Sequence, residues 1–219
     1  MENIRGLRLF DSQLQFQQDM LRMVPRGYFF HTSGVSKSRD KLMTLAGKFE
    51  ENYGTALDRS ERQYRRKKEL ANTLFSAIKM PDGTYIWYLL ATDGLGPIRN
   101  EPLKDARSTT GTDRIMWGDS YMMAVATKPR DAGGGTYWSW WLQPRKLGIL
   151  EQHSIYLIKE DPAEIPSFWT SQKRRPMHAG IRSQLTRLLK SNIKLWSACH
   201  PGREWPGPKP PLSAITGYR

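Results

Sequence analysis

The sequence contains a single cysteine, Cys199, and few histidines. One cysteine excludes an internal disulfide and any zinc site built on several cysteines. The four histidines, His31, His153, His178 and His200, have neither the i, i+4 spacing nor the HExxH motif of a helical metal site. We therefore expect no metal and no cofactor, and the scarcity of cysteine favours a reducing, cytoplasmic location.

Long apolar runs are also absent. No stretch approaches the ~20 apolar residues of a membrane-spanning helix. The first ten residues, MENIRGLRLF, lack the uninterrupted apolar core of a signal peptide. We expect no membrane partner, while a hydrophobic content of 38% is enough for a folded core.

Acidic residues are scarce relative to basic ones. The chain has 34 Lys and Arg against 21 Asp and Glu, which gives a formal net charge of +13. Such an excess causes self-repulsion unless a polyanion relieves it, so nucleic acid is the predicted partner. There are two alternatives to this prediction. The partner is a membrane surface, or the charge serves only solubility.

Residues 61–70, ERQYRRKKEL, concentrate this charge. Apolar spacing predicts a helix over about 57–79, with one arc formed by Leu57, Tyr64, Ala71, Leu74, Phe75 and Ile78. Arginines occupy the opposite arc, whereas a merely solvated face would interleave Glu with Lys four residues later. Guanidinium groups bind phosphate oxygens in pairs. The predicted nucleic-acid contacts here are Arg59, Arg62, Arg65, Arg66, Lys67 and Lys68.

A second basic helix is predicted over residues 178–196. Its apolar side is formed by Ile181, Leu185, Leu188, Leu189 and Trp196. Its outer side carries Arg187, Lys190 and Lys194, which we also expect to contact nucleic acid.

The remaining pattern predicts an α+β fold. Further helices are expected at 10–24, 36–54 and 144–161, and strands at 26–34, 84–92, 120–129 and 136–144. Separate helices and antiparallel strands favour a small sheet covered by helices on one face. We expect one domain over residues 1–199, with a helical finger at 36–79 and a Pro-rich extended tail at 200–219.

The strand at 136–144, TYWSWWLQP, is rich in aromatic residues. Trp138 and Trp140 lie on one face, and Tyr137 and Trp141 on the other. Core packing explains one face, and the stacking of bases is a second use for the other.

The segment before that strand, DAGGG, is the glycine-rich candidate for binding phosphate. It lacks the Lys-Ser/Thr of a phosphate-binding loop, and a hairpin turn is the favoured explanation. Because glycine permits close approach of a phosphate chain, Lys128 and Arg130 are further candidate RNA contacts.

The carboxylates do not cluster as a magnesium-dependent nuclease requires. RNA cleavage without metal needs only groups that orient the 2′-hydroxyl, move protons and stabilise charge. Residues 22–41 supply such groups in Arg22, Arg26, Tyr28, His31, Arg39 and Lys41. His31 is a candidate base if its face of the strand is open, and a packed histidine is the alternative.

The chain resembles the RNA-processing endonucleases of type IV CRISPR systems, a divergent branch of the RAMP superfamily. The residues that carry the resemblance are the Arg-rich segments SKSRDKLMTLAGKFEENYG and DRSERQYRRKKELANTLFSAIK, together with the basic loop KPRDAGGG. The resemblance covers about the first two thirds of the chain. It implies a ferredoxin-like sheet, a helical finger that grips the hairpin of a CRISPR repeat, and metal-independent cleavage near Arg26 and Arg39.

The leading hypothesis is therefore a metal-independent endoribonuclease that processes CRISPR precursor RNA and stays bound to the product in an effector complex. Its candidate catalytic residues are Arg26, His31 and Arg39. The alternative is a non-catalytic DNA-binding protein of plasmid or phage replication, transfer or maintenance. A third hypothesis is a structural subunit that coats guide RNA among other subunits of a ribonucleoprotein.

Overall fold

The computed structural model describes residues 2–4, 6–108, 111–128, 133–210 and 212. Its contacts divide the chain into two compact units, Met1–Ile115 and Met116–Arg219. The single domain expected over residues 1–199 stays a prediction, because two contact-dense units can still fold as one domain. We describe each unit by itself.

The described residues of the first unit form a six-stranded sheet and three α-helices. The strands are β1 (Glu2–Ile4), β2 (Leu7–Phe10), β3 (Phe30–Ser36), β4 (Thr73–Lys79), β5 (Tyr85–Ala91) and β6 (Lys104–Asp105). The helices are α1 (Gln13–Met23), α2 (Arg39–Tyr53) and α3 (Arg59–Lys67). The strand order is β1-β2-β4-β5-β3-β6.

The α+β class is confirmed, but the sheet is mixed rather than purely antiparallel. Strands β2 and β4 pair in parallel, with Leu7 opposite Phe75, while β4 pairs with β5 and β5 with β3 in antiparallel fashion. The chain order strand–helix–strand–helix–helix–strand–strand also differs from the β-α-β-β-α-β order of a ferredoxin-like unit.

Helices cover both faces of this sheet, not one as predicted. On one face, Leu42 and Phe49 of α2 form a cluster with Phe75 of β4, and the rings of Phe49 and Phe75 meet edge to face. Residues that alternate with this set point to the other face. There Phe16 of α1 packs against Phe10 and Tyr88.

The helix predicted over 57–79 is wrong beyond Lys67. Residues 73–79 form β4, and residues 71–78 are all buried. A strand inside a sheet with helices on both faces is apolar on both sides, and such a short apolar run imitates the arc of a helix. Within the helical finger predicted over 36–79, the helical residues are those of α2 and α3.

In the described part of the second unit there are a three-stranded antiparallel sheet and three α-helices. The strands are β7 (Met116–Trp117), β8 (Tyr121–Thr127) and β9 (Thr136–Leu142), in that order. The helices are α4 (Pro144–Glu160), α5 (Ile165–Lys173) and α6 (Ala179–Cys199). The predicted β8–β9 pairing and the two long helices are confirmed. The described part of the tail, 200–210 and 212, contains neither helix nor strand.

Candidate nucleic-acid interface

The short helix α3 has acidic residues at its start and basic residues at its end. Asp58 caps it by accepting from the backbone N–H of Glu61, and the Glu61 side chain accepts in return from the N–H of Asp58. Arg65, Arg66 and Lys67 occupy the last turn. Because a helix is partially positive at its N-terminus and negative at its C-terminus, this order stabilises α3. Part of the charge in residues 61–70 therefore has a local, structural use.

The end of α3 is set by Glu69. Its φ of 56° is the left-handed conformation that usually requires glycine. The N–H of Glu69 donates to the carbonyl of Arg66, and that of Leu70 to the carbonyl of Arg65. This pair of bonds is the Schellman ending of a helix.

Two of the predicted RNA-binding arginines are turned toward the body of the first unit. Arg62 donates to the backbone carbonyls of Leu57, Thr55 and Thr73 at 2.8, 2.8 and 2.6 Å, and to the Tyr28 hydroxyl at 3.0 Å. Arg65 donates through two nitrogens to the carbonyl of Ala71, at 3.1 and 2.7 Å. Both side chains use their donors inside the protein.

The other cations of this segment face solvent. Arg59, Arg66, Lys67 and Lys68 are exposed, and no described residue hydrogen-bonds to or forms a salt bridge with their side chains. Lys68 lies 5.9 Å from the centroid of the Tyr64 ring, which is itself 61% exposed. The predicted stripe is therefore divided into two structural arginines and four exposed cations.

His31 is buried, with only 3% of its surface exposed. Its Nε2 lies 2.8 Å from the carbonyl of Asp113, so Nε2–H donates and the neutral ring has no proton on Nδ1. Nδ1 is buried without a hydrogen-bond partner in the described part of the chain. Burial is the largest cause that lowers the pKa of His31. The structure therefore favours the packed histidine over an accessible general base.

Arg26 and Arg39 lie at opposite ends of β3. Arg26 ends a turn of 3-10 helix before the strand, and Arg39 begins α2 after it. A strand of seven residues spans about 20 Å, at roughly 3.3 Å per residue. Arg26, His31 and Arg39 are therefore not brought together around one phosphate.

Helix α6 has the two-sided character predicted from its sequence. Ile181, Leu185, Leu188, Leu189 and Trp196 are all buried. Arg187, Lys190 and Lys194 are exposed on the other side. Within the described ranges, none of these three side chains has a hydrogen-bond or salt-bridge partner.

A groove of about 480 Å³ runs beside α6 in the second unit. Tyr137 of β9 forms part of its wall, and Arg182, Arg187 and Lys190 contribute cations. The side chain of Arg182 has no hydrogen-bond or salt-bridge partner among the residues described. Arg182 was missed from the sequence, although it begins the i, i+4 series that continues through Thr186, Lys190 and Lys194.

The anchoring of α6 against β9 holds this groove in shape. The Ser139 hydroxyl accepts from the backbone N–H of Gly180 at 2.8 Å. Gln184 donates to the carbonyl of Leu142 and accepts from its N–H, at 3.1 and 2.8 Å. A Cβ on Gly180 would lie 2.6 Å from the carbonyl oxygen of Trp140, so this close approach requires glycine.

The other residues predicted to contact nucleic acid are Lys128, Arg130 and the aromatic side chains of β9. Lys128 is exposed just after β8, and Arg130 lies outside the described residues. Trp140 is fully buried, as core packing predicts, while Tyr137, Trp138 and Trp141 are half-buried. In the described parts of the chain, no three His, Cys, Asp or Glu residues are placed to hold a metal ion, and no helix is long and apolar enough to cross a membrane.

Comparisons with known proteins identify no relative. No protein-family model matches the chain, and neither the curated proteins nor the solved structures contain a match.

Proposed function

We propose that this protein binds RNA and that α6 provides a principal contact surface. The observation that carries the proposal is the charge of this helix, which has four cations and no acidic residue in 21 positions. Exposed helices usually place Glu and Lys four residues apart and gain a few tenths of a kcal/mol per pair. Helix α6 has no such pair. Phosphate groups are ligands that would relieve the repulsion between its cations.

The spacing of the cations fits an extended polyanion. Residues 182, 186, 190 and 194 follow one another at i, i+4, so neighbours in this series lie about 6 Å apart along the helix axis. Three of the four are cationic, and Thr186 offers a hydroxyl donor. Such a row can follow a phosphate chain over several nucleotides.

In the first unit, the exposed cations of α3 support the same kind of partner. The side chains of Arg59, Arg66, Lys67 and Lys68 form no salt bridge with a described carboxylate, so their charge is available to a ligand. The resemblance to CRISPR-repeat endonucleases is the reason to propose RNA, bound within a cytoplasmic ribonucleoprotein. Because Arg26, His31 and Arg39 are separated, the proposal is limited to binding.

The test compares the wild type with the variant Arg187→Gln/Lys190→Gln/Lys194→Gln. The probe is a fluorescein-labelled RNA hairpin with single-stranded flanks, and the readout is fluorescence anisotropy. Three exposed ion pairs at about 0.5 kcal/mol each predict a loss of affinity of about tenfold. The matched control, Lys48→Gln/Lys79→Gln/Lys159→Gln, removes the same charge from exposed sites on α2, β4 and α4.

If both triple variants lose the same affinity for RNA, the loss is caused by net charge alone. That result would refute α6 as the contact surface. A competition with duplex DNA at the same salt separates the alternative function, since tighter binding of DNA would replace the RNA proposal. The same hairpin run on a denaturing gel, with and without chelator and with a 2′-deoxy substitution, detects any cleavage.

A further inference from the structure

The groove beside α6 combines phosphate-binding and base-stacking chemistry. From Tyr137 and the cations along α6, we infer that it holds an unpaired nucleotide, with the base stacked on the Tyr137 ring and the flanking phosphates bound by Arg182 and Lys190. This inference rests on the proposed function and narrows its ligand to single-stranded segments.

The lining of the groove matches such a ligand. Among the described residues that line it are one aromatic ring, three cations and the hydroxyl-bearing residues Ser183 and Thr186, and none of them is acidic. Its volume of about 480 Å³ falls within the range of roughly 300–1,000 Å³ that is usual for small-ligand pockets. A nucleotide presents a flat apolar base and an anionic phosphate, which match these two kinds of lining residue.

Tyr137 is placed for stacking rather than for core packing. It is half-buried, and no described residue makes a hydrogen bond or ring contact with its side chain. On β9 it shares a face with Ser139 and Trp141. Ser139 binds the first turn of α6 through Gly180, which holds the ring beside the cations of that helix.

A paired base cannot use this groove in the same way. In a duplex each base is stacked between its neighbours, and only the backbone and base edges are accessible. A site that joins a ring to a row of cations therefore selects unpaired nucleotides, with little preference for sequence, because every base has a flat face.

The experiment uses the full-length chain and two labelled probes with the same number of phosphates. One is a 12-nucleotide oligouridine, and the other is the same ribose-phosphate chain without bases. We expect the wild type to bind oligouridine about tenfold more tightly than the abasic probe. Tyr137→Ala should remove most of this difference, while Tyr137→Phe should retain it because the ring remains.

The outcomes separate failure of this inference from failure of the proposed function. If neither probe binds but the RNA hairpin does, the unpaired-nucleotide site is refuted and RNA binding stands; if the hairpin also fails to bind, RNA binding itself is refuted. If both bind equally to the wild type, or if Tyr137→Ala weakens both by the same factor, stacking on Tyr137 is refuted and RNA binding stands. Tyr156→Ala, which removes an exposed tyrosine of the same unit, is the control and should leave the ratio unchanged.

Should Tyr137→Ala lower the unfolding temperature, Tyr137→Leu serves as a second variant that keeps an apolar side chain without a ring. The comparison of the two probes on the wild type needs no variant, and equal binding of the two would refute the inference in either case.

Discussion

Replacing Arg62 with alanine should destabilise the protein while leaving its affinity for RNA nearly unchanged. The guanidinium satisfies three backbone carbonyls, those of Leu57, Thr55 and Thr73, and also the Tyr28 hydroxyl. Thr55 and Thr73 are each only 1% exposed, so water does not readily replace the lost donors. Arg62 thus joins α3 to the segment before it and to β4.

The size of the effect follows from these contacts. A buried polar group left without its partner costs about 1–3 kcal/mol. With three carbonyls and partial access of water to a half-buried side chain, we expect about 3 kcal/mol. For a chain of this length that lowers Tm by roughly 6–12 °C.

The assay is thermal unfolding followed by circular dichroism, with RNA binding measured on the same samples below the transition. Arg66→Ala is the matched variant, since it removes an exposed arginine four residues along the same helix. It should cost less than about 1 kcal/mol in stability, the loss of one favourable charge near a helix end, and should weaken binding. An Arg62→Ala protein that unfolds like the wild type but binds RNA less tightly than Arg66→Ala would refute this assignment of roles.

Three further predictions concern the helix ends and the docking of α6. Glu69→Gly should raise the unfolding free energy by up to about 1 kcal/mol, because glycine adopts φ near 56° without steric cost; an unchanged or lower urea midpoint would contradict this. Gly180→Ala should destabilise by about 1–3 kcal/mol, because its Cβ would collide with the Trp140 carbonyl, and a wild-type Tm would show that the helix can shift. Burial lowers the pKa of His178 from 6.5 to about 4, so the folded state binds fewer protons and stability should fall as the pH drops from about 6.5 toward 4. His178→Gln should reduce this pH dependence in urea titrations, and an unaltered slope would assign it to other groups.

Structure could be predicted best from the sequence where the apolar pattern lies within a single helix or strand. For α6, apolar spacing alone assigns the buried and exposed sides correctly, because a regular helix converts position directly into direction. The strands β5, β8 and β9 were located for the same reason, since their period and turn residues are local signals. The positions of Arg187, Lys190 and Lys194 on α6 and of Tyr137 on β9 could therefore be predicted from the sequence.

The predictions that failed depend on an unusual backbone conformation or on contacts between residues that are distant in sequence. The end of α3 depends on Glu69 adopting a conformation for which the sequence gives no glycine signal. The strand β4 depends on being covered on both faces by helices that are distant in sequence. A helical arc gives the direction of Arg62, but only the tertiary structure shows that carbonyl oxygens lie in that direction.

The salt dependence of RNA binding tests the central claim most directly. For a single-stranded probe, each phosphate contact contributes about −0.7 to the slope of log K against log salt concentration. The variant Arg187→Gln/Lys190→Gln/Lys194→Gln should therefore show a slope shallower by about 2 than the wild type. An identical slope in the two proteins would mean that α6 does not contact the phosphate chain and would contradict the account.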